Sequence, residues 1–216
     1  MQGDLQVKPN TSFLFAAGFV AAMSSLLAAG PALAKCSTFK PTRPGEVYLI
    51  RGLANVFSLG MDTMAKEFTK LGIQNCVANH RVWTGLAQDV IERNYSNAVN
   101  YPVIIVGHSL GAGVAPKMAT RLGKNDIEVA YVVMYDPVEP TQVGKNVDQI
   151  INYYLDSKSK DKILRPGSGF SGDLENIDLR GQGNIDHFNI EDNRQLQQIV
   201  YDRAMELSSA IAAKEQ

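Results

Sequence analysis

The amino-acid sequence predicts an α/β fold, a three-layer α/β/α sandwich around a mostly parallel central sheet. Three observations carry that expectation. Short apolar runs at 47–50, 103–106 and 129–135 lack the polar alternation of a half-solvated strand, so both of their faces must be covered. The first two are followed by amphipathic stretches of helical length, the order that parallel crossovers produce. A chain of 216 residues with a formal net charge of −1 can bury one good core but not two large ones.

In chain order, the first strand is expected at 47–50, followed by a glycine-containing loop and a helix over 62–70. A second strand covers 73–79, with a helix over 86–95. The third strand, 103–106, leads into a helix over 112–122 that carries Lys117 and Arg121 on a polar face. A fourth strand covers 129–135, weaker fifth and sixth strands fall at 150–155 and 175–179, and a long amphipathic helix over 194–212 closes the chain. Residues 157–173 (SKSKDKILRPGSGFSGD) are polar and long for a connection, with few apolar side chains to dock. That composition predicts a flap over a site or, preferably, a disordered surface loop.

The N-terminus is compositionally separate. Lys8 precedes an apolar stretch over 13–29, which runs through Gly30 and Pro31 into Ala32-Leu33-Ala34, a small-x-small cleavage pattern. Residues 1–34 read as a secretory signal cut after Ala34, leaving 35–216 as one domain in an exported, periplasmic or secreted protein. The alternative is an uncleaved anchor, because the run approaches the roughly 20 residues that span a bilayer. Lys35 before Cys36 argues against lipoprotein processing. In an oxidising compartment the even pair Cys36 and Cys76 suggests a disulfide, closing a loop of about 40 residues for roughly 2 to 4 kcal/mol. A buried thiol at Cys76 is the competing reading.

The near-neutral charge recommends no nucleic acid. His80, His108 and His187 are too scattered to propose a metal site, no cofactor is implied, and a monomer is expected. Any membrane contact would come through an uncleaved leader.

The chemistry concentrates in VIIVGHSLGAG, residues 103–113. Gly107, Gly111 and Gly113 could form a dinucleotide-binding turn, and Tyr154 with Lys158 matches the Y-x-x-x-K of short-chain dehydrogenases. Position opposes that reading. A dinucleotide fold places its glycine turn at the first strand of the sheet, and Tyr154 lies in a strand-like run where Lys158 would not share its face. The same glycines also spell G-x-S-x-G between a strand and a helix, a sharp turn that raises the hydroxyl of Ser109 above the sheet.

Serine needs a base, and the base an orienting carboxylate. His187 is the only histidine downstream of Ser109, and it falls after the last expected strand, where the base of such a fold belongs. His108 reads as filler inside the turn, and His80 as a strand-end residue near the site. Asp136 leaves the fourth strand abruptly before Pro137 and is the preferred acid. Asp156, after the next strand, is the alternative, and Asp186 is too close to His187 in sequence. The oxyanion donors fall on the backbone N–H of Leu110 and, by position, of Leu53 beside Gly52.

Taken together, the Arg51-Gly52-Leu53 loop, the VGHSLGAG turn, Asp136-Pro137 and Asp186-His187 resemble the α/β-hydrolase superfamily of serine hydrolases, among its lipase-, esterase- and thioesterase-like members. The resemblance implies a Ser109-His187-Asp136 triad and cleavage of a small-molecule carboxylic ester or thioester through an acyl-enzyme. It departs from the family in lacking the HGGG motif of some esterases. The short 137–148 connection leaves no room for a cap domain, so an open groove is expected, lined by some of Phe57, Leu59, Val138 and Phe188. A catalytically silent binding or envelope protein on the same fold is the competing class.

Overall fold

The structure, a computed structural model, describes residues 34–53, 58–155 and 162–214. Among the described residues, seven strands form one sheet in the order β1-β3-β2-β4-β5-β6-β7. They are β1 (Ala34–Cys36), β2 (Glu46–Arg51), β3 (Gln74–Asn79), β4 (Val103–His108), β5 (Val129–Tyr135), β6 (Val147–Tyr154) and β7 (Asp173–Asp178). Strands β2 to β7 are mutually parallel. The helices are α1 (Gly60–Lys70), α2 (Trp83–Tyr95), α3 (Leu110–Gly123) and α4 (Arg194–Lys214).

The continuous apolar runs are strands sealed on both faces. Tyr48, Ile50, Ile105, Val132 and Met134 face α2 and α3, whereas Val47, Leu49, Ile104, Val106 and Val133 face α1 and α4. Successive residues of a strand point to opposite faces, so a run buried on both sides cannot alternate with polar residues. Each fully buried Val, Ile or Leu contributes roughly 1.5 to 3 kcal/mol of transfer free energy.

Three elements differ from the sequence expectation. Strand β1 pairs antiparallel with β3, setting Cys36 opposite Cys76, and these two cysteines are disulfide-bonded. β1 begins at Ala34, the residue chosen as the end of the leader. The 1–33 part of that leader lies outside the described residues, and among the described residues no helix is long and apolar enough to cross a membrane. Strand β6 starts at Val147, three residues early, because parallel pairing from Val129↔Val147 onward recruits polar residues that a hydrophobic pattern passes over. The described part of the supposed surface loop, 162–173, is docked. Leu164 is buried, its N–H and carbonyl both bond the Asn176 side chain, and Pro166 forms a bridge with Val143.

The sheet order positions the site. From β2 the chain moves outward to β3, then crosses back to β4 on the opposite side of β2. Loops leaving the carboxyl ends of β2 and β4 therefore diverge to opposite faces, opening a crevice where such sheets bind ligands.

Candidate active site

Ser109 stands in that crevice, between β4 and α3. Its backbone has φ 56° and ψ −119°, a left-handed region that non-glycine residues rarely occupy and that costs of order 1 to 3 kcal/mol. Surrounding bonds hold it there. The Ser109 N–H donates to the Tyr135 carbonyl at 2.9 Å, and the Ser109 carbonyl accepts from Gly113 and Val138 N–H groups at 3.0 and 3.2 Å. The flanking glycines are needed for space. A Cβ on Gly107 would lie 2.5 Å from the Gly111 carbonyl oxygen, and one on Gly111 would lie 2.0 Å from that of Ile50.

Asp136 leaves β5 with φ 45°, a second turn in the left-handed region, and its side chain is 1% exposed. Its Oδ1 accepts from the Leu155 N–H at 3.0 Å and from Lys162 Nζ at 2.7 Å. Its Oδ2 faces His187 Nδ1 at 2.5 Å. Burial by itself would raise this carboxyl, but the hydrogen bonds from His187 and Lys162 outweigh it and hold Asp136 below the usual carboxylate value. An ionised carboxylate only accepts, so His187 Nδ1 carries the proton and Nε2 presents a lone pair. That lone pair meets Ser109 Oγ at 3.1 Å.

The loop carrying His187 is braced by its neighbours. Asp186 accepts from the Phe188 N–H at 2.8 Å, and the Asp186 N–H donates to Asn189 Oδ1 at 2.8 Å. Asp186 thus caps the turn, and the carboxylate bonded to the His187 ring is that of Asp136. Asp156 and Lys158 lie outside the described residues. Tyr154 ends strand β6 and is not helical, as the dehydrogenase pattern would need.

Leu110 opens α3, where first-turn N–H groups have no intrahelical partner. Leu53 follows Gly52, whose carbonyl accepts from His80 Nδ1 at 3.0 Å and whose N–H donates to Ser58 Oγ at 3.2 Å. A cleft of about 380 Å³ joins Leu53, Leu110, Ser109, His187, Val138 and Phe188. Of the groove residues expected from sequence, Val138 and Phe188 line it, Leu59 is exposed and does not, and Phe57 lies outside the described residues. A larger groove of about 970 Å³, around Lys117, Arg121 and Lys124, contains none of these groups. Size alone does not locate chemistry, and the smaller cleft has the polar convergence. Among the described residues, no cluster of three or more His, Cys, Asp or Glu could hold a metal ion.

Three contributors escaped the sequence reading. Lys162 belongs to the segment read as a loose loop, yet it bonds Asp136. Ser58 and His108, which also line the cleft, bond each other at 2.8 Å. A hydroxyl in a loop and a histidine inside a turn carry no pattern that would have singled them out.

No protein-family model matches the chain, and no curated protein matches it. Solved structures do. The chain is similar to the type II thioesterase BorB from the borrelidin biosynthetic cluster, with a TM-score of 0.52 at 11% identity over 82% of this chain and 97% of that one. It is also similar to the NocB thioesterase domain from the nocardicin cluster, solved as a covalent complex with a fluorophosphonate nocardicin G analog. There the TM-score is 0.50 at 12% identity, covering 80% of this chain and 99% of that chain. The likeness is one of fold, and the fold is that of the α/β hydrolases.

Proposed function

We propose, from an α/β-hydrolase fold with a polar cluster at its topological switch, that this chain is an exported serine hydrolase cleaving carboxylic esters or thioesters of apolar acyl groups. The observation that carries the reading is the run of contacts from Asp136 Oδ2 through both nitrogens of His187 to Ser109 Oγ. The likeness to thioesterases at 11 and 12% identity supports the fold beneath that reading, and the chemistry rests on the residues.

In this mechanism Ser109 Oγ gives its proton to His187 Nε2 and attacks the acyl carbonyl carbon. Negative charge moves to the carbonyl oxygen, where the N–H groups of Leu110 and Leu53 would receive it. Asp136 stays ionised and stabilises the imidazolium. His187 then protonates the departing alkoxide or thiolate as the bond to it breaks, leaving the acyl group on Ser109. Water, deprotonated by the same nitrogen, releases the acid. The apolar walls supplied by Leu53, Leu110, Val138 and Phe188 suit a hydrocarbon acyl chain.

Export is supported by the leader pattern and by the Cys36–Cys76 bond, since disulfides persist in oxidising compartments. The expected mature N-terminus is Lys35. A fluorophosphonate probe tests the enzyme reading: the mature protein should be labelled and Ser109→Ala should not. An unlabelled wild type, or equal labelling of the variant, returns the chain to the binding-protein class.

A further inference from the structure

His108, the residue before Ser109, ends β4 with its ring 2% exposed and both nitrogens bonded. Its Nε2 lies 2.7 Å from the His187 carbonyl oxygen. A carbonyl only accepts, so Nε2 carries the ring proton and Nδ1 is left as an acceptor. Ser58 Oγ lies 2.8 Å from Nδ1 and must donate its single proton there. The same oxygen then accepts from the Gly52 N–H at 3.2 Å. Every member has one allowed direction: Gly52 N–H to Ser58, Ser58 O–H to His108, and His108 N–H to the His187 carbonyl.

We infer that His108 is a positioning residue that locks the loop of the base, His187, and the loop of the oxyanion donor, Leu53, to the strand that delivers the nucleophile. The inference rests on reading Ser109 and His187 as nucleophile and base. His108 borders the cleft, but both its nitrogens are held by protein partners and neither is left for a substrate. It fixes the backbone from which His187 projects, and through Ser58 it fixes Gly52, the neighbour of Leu53. His80 holds the other side of Gly52, so that residue is gripped at its N–H and its carbonyl.

The ring stays neutral because burial pulls its pKa down to about 4, against a smaller opposing effect of the His187 carbonyl. The charged and titratable groups around it are His187, Asp136 and Lys162, together with Glu191, whose Oε2 lies 3.6 Å from Nε2. Glu191 is itself pushed up to about 8 by burial. Glu191 is therefore mostly protonated at pH 7, which weakens its pull on the Nε2 proton relative to the His187 carbonyl at 2.7 Å.

Two substitutions divide the ring between its nitrogens. The amide of His108→Gln reaches the Nε2 position and can still donate to the His187 carbonyl. The amide of His108→Asn reaches only the Nδ1 position and leaves that carbonyl without its donor. With p-nitrophenyl butyrate, His108→Asn should lose about 10²-fold in kcat with KM within about twofold, since an ångström of misplacement costs about that much. His108→Gln should recover about tenfold of this loss, at a Tm similar to that of the asparagine variant. Ser58→Ala keeps the Nε2 bond to the His187 carbonyl, removes the hydroxyl that joins Nδ1 to the Gly52 N–H, and should lose about tenfold in kcat and in the fluorophosphonate labelling rate.

Equal kcat in the glutamine and asparagine variants, or wild-type kcat and labelling in Ser58→Ala, overturns the inference while the labelled wild type keeps the hydrolase reading. An unlabelled wild type overturns both.

Discussion

Two histidines stand side by side in this molecule, their ring centroids 5.1 Å apart, and they occupy opposite circumstances. His187 has a side chain 32% exposed, one nitrogen on a buried carboxylate and the other facing a serine and a cleft. His108 is sealed, with both nitrogens on protein partners. A proton can be exchanged with a substrate only from a ring that keeps one nitrogen uncommitted to the scaffold. A ring bonded at both nitrogens has a fixed tautomer and serves as a brace. The comparison separates histidine as reagent from histidine as structure by access and bonding, with residue type held constant.

The largest effect should come from removing the exposed ring. His187→Ala is expected to lower kcat by 10⁴-fold or more, on the order of what loss of a catalytic base costs in serine hydrolases, with little change in Tm because the ring is partly solvated. A loss in kcat no greater than that of His108→Asn would erase the contrast between the two rings.

The carboxylate comes next. Asp136→Asn should cost about 10⁴-fold in kcat, since an amide at that position stabilises the wrong tautomer of His187. Asp156→Asn should stay within about twofold of wild type. Esterase assays on the pair check this, and a loss confined to the second variant would move the acid to Asp156.

The smallest effect concerns stability against pH, and it sharpens the view of His108 as a buried neutral ring. Its folded pKa of about 4 lies below the ordinary 6.5, so the unfolded chain binds the extra proton between those values and stability rises with pH across that window. Glu191 has the opposite sign. Its folded pKa of about 8 lies above the ordinary 4.5, so the folded chain holds the extra proton and stability falls as pH rises from about 4.5 to about 8. The slopes oppose each other up to about 6.5, and above it the contribution of Glu191 is unopposed by His108. Glu191→Gln should therefore flatten the decline in Tm between pH 6.5 and 8. A decline unchanged by the substitution would remove Glu191 as its source.

Much of the fold was legible because its strands are buried on both faces. A run such as Val129–Tyr135 needs cover on both faces, and helical periodicity between several of the runs favoured a sheet layered with helices. Strand β1 was not legible. It has three residues and gains its partner only at the sheet edge, where the disulfide joins it to β3. The docked segment after residue 161 was misread for a related reason: its few apolar residues are enough, because Asn176 satisfies the backbone of Leu164 and Asp136 receives Lys162.

By itself, the sequence determined the kind of protein this is, a doubly covered parallel sheet whose glycine-flanked serine must stand in a sharp strand-to-helix turn. It also supplied an order of serine, aspartate and histidine along the chain, because each residue type follows a strand whose carboxyl end had to lie on one edge of the sheet. Only the tertiary structure decided which groups meet. Ser109 and His187 are 78 residues apart, and His108 finds Ser58 at a separation of 50. Hydrogen bonds have a reach of about 3 Å, and no local pattern in a chain encodes which distant side chains packing will bring within it.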